Sequence, residues 1–308
     1  MTTVLLLDSR AEEIRSALHD DGSSIELVLA DGTTEQADSC SIWLGEPDAA
    51  ADLLARGARP DWLQSTWAGF KPLLAEGLPR DYRLSRAVGV FGQPIAEYVI
   101  ASLLRHALQL GERQHSQARR EWNHRLPGSL AGKKILIVGA GEIGCEVAGF
   151  LRPFGVELHG VVNTPRPLPY FKHVTGMNGL QTAVQDADYV INLLPDTAAT
   201  ADIYNSALFA AMKTSALFIN VGRGTAVVDA DLLAALRNQQ LAGAVLDVFR
   251  QEPLPEAHPF WREPTITITA HIAGPMVPTL LVRLFLDNLA RFRQGETLRG
   301  EVDFSKGY

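Results

Sequence analysis

At 308 residues the chain exceeds what one average core organises and suits two domains of about 100 to 200 residues each. A hydrophobic fraction of 46% beside 20% charged residues is that of an ordinary globular protein and excludes a disordered chain. The formal charge of −7 excludes the basic stripe that a nucleic-acid partner requires, while small anions need only a local positive site.

The first ninety residues alternate short apolar runs with helical patterns. Strands are expected at Val4 to Leu7, Ile25 to Leu29, Ser41 to Leu44, Trp62 to Thr66 and Arg83 to Ala87, with helices over Ala11 to His19 and Ala49 to Arg56. Such alternation indicates a parallel sheet covered by helices. From Ala96 to Glu112 the stripe Ile100, Leu103, Leu104, Ala107 and Leu110 has helical spacing, and Gly92 and Pro94 precede it as breakers, so a long linking helix is expected. Arg113 to Lys134 is polar, Arg-rich and broken by Pro127, Gly128 and Gly132, which reads as a surface arm.

A second α/β series begins at Lys134. Its strands are expected at Ile135 to Val138, Glu157 to Val162, Tyr189 to Leu193, Ala216 to Val221, Gly243 to Leu246 and Thr265 to Thr269. Helical patterns fall between most of them, for example Asp231 to Asn238 with Asp229 as its N-cap. This is the doubly wound pattern. A last apolar helix, Thr279 to Phe292, lies beyond it and could fold back onto the first domain. The Val4 to Leu7 run is far short of a signal-peptide core, and no run reaches the roughly 18 apolar residues of a membrane helix. Cys40 and Cys145, the only cysteines, lie far apart and suggest neither a disulfide framework nor a metal site. The expectation is a cytoplasmic chain with no membrane partner.

The run Ile135 to Val138 leads directly into Gly139-Ala140-Gly141-Glu142-Ile143-Gly144 and then a helical segment. A lone GxGxxG is weak, but between strand and helix the three glycines serve three separate needs, namely a tight turn, close approach of the backbone to a pyrophosphate, and tight helix packing. The helix N-terminus then offers free N–H groups to the phosphates. About 20 residues after the glycines, an Asp or Glu normally holds the ribose hydroxyls of NAD. Here that place reads Val162-Asn163-Thr164-Pro165-Arg166, and no acid occurs through Asn178, while Lys172 and His173 add positive or titratable groups. A 2′-phosphate would meet donors there, so NADP is the expected cofactor and NAD the alternative.

Three later segments end candidate strands, where open α/β sheets bind ligands. They are Asn220-Val221-Gly222-Arg223-Gly224, Leu246-Asp247-Val248-Phe249-Arg250-Gln251-Glu252-Pro253, and Thr269-Ala270-His271-Ile272-Ala273-Gly274. With the glycine loop, Ala68-Gly69, Ala96-Glu97-Tyr98 and Leu194-Pro195, they resemble the D-isomer-specific 2-hydroxyacid dehydrogenases over nearly the whole chain, most closely the glyoxylate and hydroxypyruvate reductases. The resemblance implies a fold of two α/β domains, a Rossmann-type doubly wound parallel sheet plus a smaller flavodoxin-like substrate domain. Their boundaries would be 1–95 for the first segment of the substrate domain, 96–276 for the dinucleotide domain and 277–308 for the returning C-terminal helix.

It assigns Arg223 to the substrate carboxylate and carbonyl, His271 to proton transfer and Glu252 to orienting that histidine. Ala68 and Gly69 would hold the substrate carboxylate through their backbone. Leu194, Pro195, Val221, Gly222, Asp247 and Ala273 would join Gly139 to Gly144, Asn163, Thr164 and Arg166 around the cofactor, with Asp247 near the nicotinamide carboxamide. The chemistry independently wants these types: a keto acid needs a cation with fork geometry, and a new alkoxide needs a proton from a group titrating near neutrality. Ala270 stands where the family usually has proline, which leaves the loop before His271 less constrained.

The expected function is NADPH-dependent reduction of a small 2-keto acid by a homodimer, the dimer being implied by the resemblance alone. The rival readings are an NAD-dependent D-lactate or phosphoglycerate-type dehydrogenase and, from another class, a corepressor-like dinucleotide-binding protein. The missing ribose acid argues against the first. Turnover separates the second.

Overall fold

The protein is represented by a computed structural model that describes residues 2–20 and 25–304; the end of the expected C-terminal segment, 305–308, lies outside the described residues. The chain divides into two compact units, Met1–Phe91 with Met276–Tyr308, and Gly92–Pro275.

The first unit opens with β1 (Thr2–Leu7), α1 (Ala11–Asp20), β2 (Ile25–Leu29), α2 (Thr34–Asp38), β3 (Ile42–Gly45), α3 (Pro47–Ala55), β4 (Trp62–Ser65) and β5 (Arg83–Ser85). All strand pairs are parallel and the order is β2-β1-β3-β4-β5, the flavodoxin order. Every residue of β3 and β4 is buried, as a parallel sheet covered on both faces requires.

The second unit begins with α4 (Gly92–Ala107) and α5 (Leu110–Ala118), followed by β6 (Lys134–Val138), α6 (Glu142–Leu151), β7 (Glu157–Val162), β8 (His173–Gly176), α7 (Leu180–Ala183), β9 (Tyr189–Asn192), α8 (Ser206–Ala211), β10 (Leu217–Asn220), α9 (Asp229–Arg237), β11 (Gly243–Leu246) and β12 (Ile266–Ile268). They build a seven-stranded sheet in the order β12-β11-β10-β9-β6-β7-β8. Its strand order reverses between β6 and β9, so the loops after these two strands flank the crevice where doubly wound sheets bind dinucleotides. The chain then returns to the first unit as α10 (Pro278–Gln294). There Leu281 and Phe285 join Val4, Leu6 and Trp62 in one core, and Phe285 stacks on Trp62 at 5.3 Å.

The structure departs from the sequence expectations at five places. The short α2 has no counterpart among the expected helices, since TEQAD carries a single apolar residue and no stripe. The linking helix stops at Ala107, and Gln109 takes a left-handed φ of 54° before α5 begins, so the single expected helix is two. The apolar stripe spans the break, which is why periodicity alone joins them. The expected arm is helical as far as Ala118 and irregular only from there to the start of β6. Strand β8 has no counterpart among the expected strands, because at this sheet edge HVTG carries a single apolar residue and no alternation. Asp229 is the first helical residue of α9 rather than its cap; Val228 holds the cap position, and the Asp229 carboxylate lies 3.4 Å from His258 instead.

Candidate active site

The glycine loop after β6 gives each glycine a distinct physical reason. Gly139 has φ +94°, and a Cβ there would lie 2.7 Å from the Leu193 backbone. At Gly144 a Cβ would come within 2.9 Å of the Gly139 carbonyl, so the helix packs on its own loop. Gly141 is different: a Cβ there meets nothing within 4 Å. It is exposed at the N-terminus of the ten-residue α6, which has no side-chain cap. An open approach over uncapped amides suits a pyrophosphate, with Glu142 and Ile143 opening the helix. The backbone N–H groups of Gly139 and Ala140 both donate to Val161 O, at 2.9 and 3.0 Å, and Ala140 is fully buried.

After β7, Asn163, Thr164, Pro165 and Arg166 are all exposed. Arg166 lies near enough to α6 for its charge to counter the burial that pushes the Cys145 thiol up. Lys172 is already ion-paired with Glu157 at 2.5 Å, which together with His159 lowers the Glu157 carboxyl to about 2. Of the basic groups in this stretch, Arg166 is therefore the one placed toward the glycine loop.

Two buried asparagines, Asn192 and the Asn220 that opens the segment leading to Arg223, lock the neighbouring loops together. Asn192 Nδ2 donates to Asn220 Oδ1 at 2.9 Å, and Asn192 Oδ1 accepts from the Leu194 N–H. Asn220 Oδ1 also accepts from Gly222 N, and Asn220 Nδ2 donates to the Arg223 carbonyl at 3.2 Å. Gly222 has no room for a side chain: a Cβ would sit 2.8 Å from Leu194 O. Leu194 and Val221 are buried, and Pro195 follows on the same loop.

Arg223 thus leaves β10 on a pinned loop and reaches a cavity of about 270 Å³ that it shares with Asp196, Gly224, Thr225, Phe249, Arg250, Glu252 and His271. Within the cavity wall His271 Nδ1 and Glu252 Oε2 are 2.7 Å apart, while Glu252 Oε1 accepts from Phe249 N at 2.8 Å. The second oxygen fixes the carboxylate; the first orients the ring. Arg250, which sequence reasoning passes over although it lies two residues before Glu252, ties the segment after Arg223 in place. It donates to the carbonyls of Thr225 and Val227 and pairs with Asp202.

Asp247, expected beside the nicotinamide carboxamide, is 1% exposed and has both carboxylate oxygens engaged by its own chain. Oδ1 accepts from Ile272 N and Oδ2 from Ala273 N, each at 2.9 Å, and the Asp247 carbonyl accepts from His271 N at 2.8 Å. Ala273 is buried, so its contribution there is a backbone one. Ala68 and Gly69 are half-buried after β4 in the other unit.

The model of the D-isomer specific 2-hydroxyacid dehydrogenase NAD-binding domain matches residues 100–273. Glyoxylate/hydroxypyruvate reductase A of Yersinia enterocolitica is 33% identical over 283 residues, covering 90% of each chain. Among solved structures, a D-isomer specific 2-hydroxyacid dehydrogenase family protein of Aeromonas salmonicida superposes with a TM-score of 0.90 at 34% identity, over 98% of this chain and 99% of that one. The NADPH-dependent glyoxylate/hydroxypyruvate reductase of Sinorhizobium meliloti, in complex with NADP and sulfate, gives 0.88 at 28% identity over the full length of both. The chain belongs to the D-isomer specific 2-hydroxyacid dehydrogenases, a family of NAD(P)-dependent oxidoreductases, and its second unit carries the family's dinucleotide-binding fold.

Proposed function

We propose that this protein reduces a small 2-keto acid, glyoxylate or hydroxypyruvate, to the D-2-hydroxy acid, with NADPH preferred over NADH. The observation that carries the reading is the cavity in which Arg223 meets the Glu252–His271 pair. The bound reduced dinucleotide supplies the hydride to the keto carbon. Arg223 presents a planar fork of donors to the substrate carboxylate and to the oxygen on which negative charge develops. With Nδ1 committed to Glu252, His271 has Nε2 left to deliver the proton to that oxygen. Ala68 and Gly69 would add backbone donors to the carboxylate from the substrate domain, whose proposed extent is 1–95 and 277–308.

Preference for NADP rests on Asn163, Thr164 and Arg166 in an acid-free, exposed stretch, and the Sinorhizobium meliloti relative is itself NADPH-dependent. The protein would act as a homodimer. Support comes from the irregular arm, where Trp122 is 93% and Leu126 86% exposed while Arg113 fixes the arm through the carbonyls of Asn123 and Arg125. Large apolar side chains exposed to water fit a surface covered by a second copy.

The test is His271→Ala. Turnover should fall by about 100- to 10,000-fold, the usual contribution of general acid catalysis. Dinucleotide affinity, measured by fluorescence titration, should hold. Retention of kcat within about threefold, roughly 0.6 kcal/mol, would mean that another group donates the proton.

A further inference from the structure

A chain of side-chain hydrogen bonds runs from α4 to the His271 loop, and its direction is fixed. Asp247 Oδ1 and Thr269 Oγ1 are 2.5 Å apart. An ionised carboxylate only accepts, so the single hydroxyl proton of Thr269 points to Asp247. The contact of 2.7 Å between Tyr98 and Thr269 must then have the Tyr98 hydroxyl as donor. Burial, reinforced by the charge of Asp247 against the opposing bond to Thr269, pushes the Tyr98 phenol up to about 12. The phenol therefore keeps its proton through the neutral range.

At the far end, the backbone N–H groups of Ile272 and Ala273 donate to the Asp247 carboxylate and that of His271 to the Asp247 carbonyl. Such a nest of amides around one aspartate is a tight turn that both sides define. Its first residue carries a conformational cost: His271 has φ +55°, the left-handed region that residues with a Cβ avoid. Ala270 brings no ring to restrain the loop. Released from the nest, His271 would relax toward negative φ and its ring would leave Glu252.

We propose that Tyr98, Thr269 and Asp247 are positioning residues that hold His271 in its left-handed conformation, in register with Glu252. This rests on the reading of His271 as the proton donor. The groups facing the imidazole are Glu252 at 2.7 Å and, around the cavity, Arg223, Arg250 and Asp196. Of these, Glu252 is the one hydrogen-bonded to the ring, so the Nδ1 proton it holds reports whether the ring is in place.

The experiment compares Thr269→Val, Thr269→Ser and Tyr98→Phe with the unmodified protein. One readout is the NMR resonance of the His271 Nδ1 proton, which the Glu252 hydrogen bond shields from solvent exchange, recorded without substrate or dinucleotide; the others are kcat for keto-acid reduction and Kd for NADPH. In Thr269→Val that resonance should be lost to exchange and kcat should fall about 10- to 100-fold, as expected for a reacting group displaced by an ångström. NADPH affinity should fall less than kcat, because the glycine loop is untouched. Thr269→Ser keeps the hydroxyl and should restore both resonance and rate; Tyr98→Phe should move both in the Val direction by less.

An unchanged Nδ1 proton resonance in folded Thr269→Val overturns the proposal, whether or not kcat falls. Should that variant not fold, Tyr98→Phe, which alters a side chain outside the loop, decides in the same way. If the unmodified protein reduces no 2-keto acid, the functional reading fails, and the resonance still decides whether the three residues position the ring.

Discussion

Glu252 orients His271 through both of its oxygens. Oε2 lies 2.7 Å from Nδ1 of the ring while Oε1 accepts from Phe249 N. Glu252→Gln keeps the size but leaves one acceptor oxygen for these two donors, so one of the bonds is lost. Under this reading kcat for reduction should fall while Kd for NADPH stays within about threefold; an unchanged kcat would contradict the orienting role. Arg223, Glu252 and His271 are candidates in the sequence through the family resemblance of their segments, and the structure gathers them around one cavity. The contacts that hold them are not legible there. Asn192 and Asn220 are 28 positions apart and Tyr98 and Thr269 are 171 apart, so only the parallel topology brings them into contact.

At the scale of elements, the glycine loop makes a prediction that sequence alone does not distinguish. Gly139→Ala puts a Cβ 2.7 Å from the Leu193 backbone in a left-handed conformation. It should destabilise the fold by more than about 1 kcal/mol and lower Tm. Gly141→Ala adds a methyl group where nothing lies within 4 Å. Its Tm should match the unmodified protein while dinucleotide affinity drops, because the methyl group stands where the pyrophosphate approaches. Thermal melts with and without NADPH check both; equal loss of Tm in the two variants would contradict the separate roles. Element type is readable wherever burial demands an unbroken apolar run, as at Ile135 to Val138. It fails at β8, where a half-exposed edge demands none, and at Gln109, where the stripe hides a change of direction.

For the whole molecule, alternating strand and helix patterns announce two parallel sheets, and their orders are those of a flavodoxin-like and a Rossmann-type unit. Composition cannot announce an assembly, since an exposed tryptophan looks the same in sequence as a buried one. The arm makes the proposed homodimer testable: Trp122→Ser with Leu126→Ser should shift the sedimenting species from dimer to monomer with little change in Tm, and a monomer before substitution would contradict the proposal. A dimer that survives both substitutions would place its interface elsewhere.

Turnover itself decides most directly between a keto-acid reductase and a protein that only binds dinucleotide. Purified protein should be assayed for dinucleotide oxidation with a panel of 2-keto acids, using NADPH and NADH in parallel. The expected result is turnover of glyoxylate and hydroxypyruvate, with kcat/KM for NADPH exceeding that for NADH by more than about tenfold, the worth of one charge-assisted contact. Arg166→Ala should shrink that ratio. Equal use of both dinucleotides would contradict the role given to Arg166, and no oxidation of either with any keto acid of the panel would contradict the function itself.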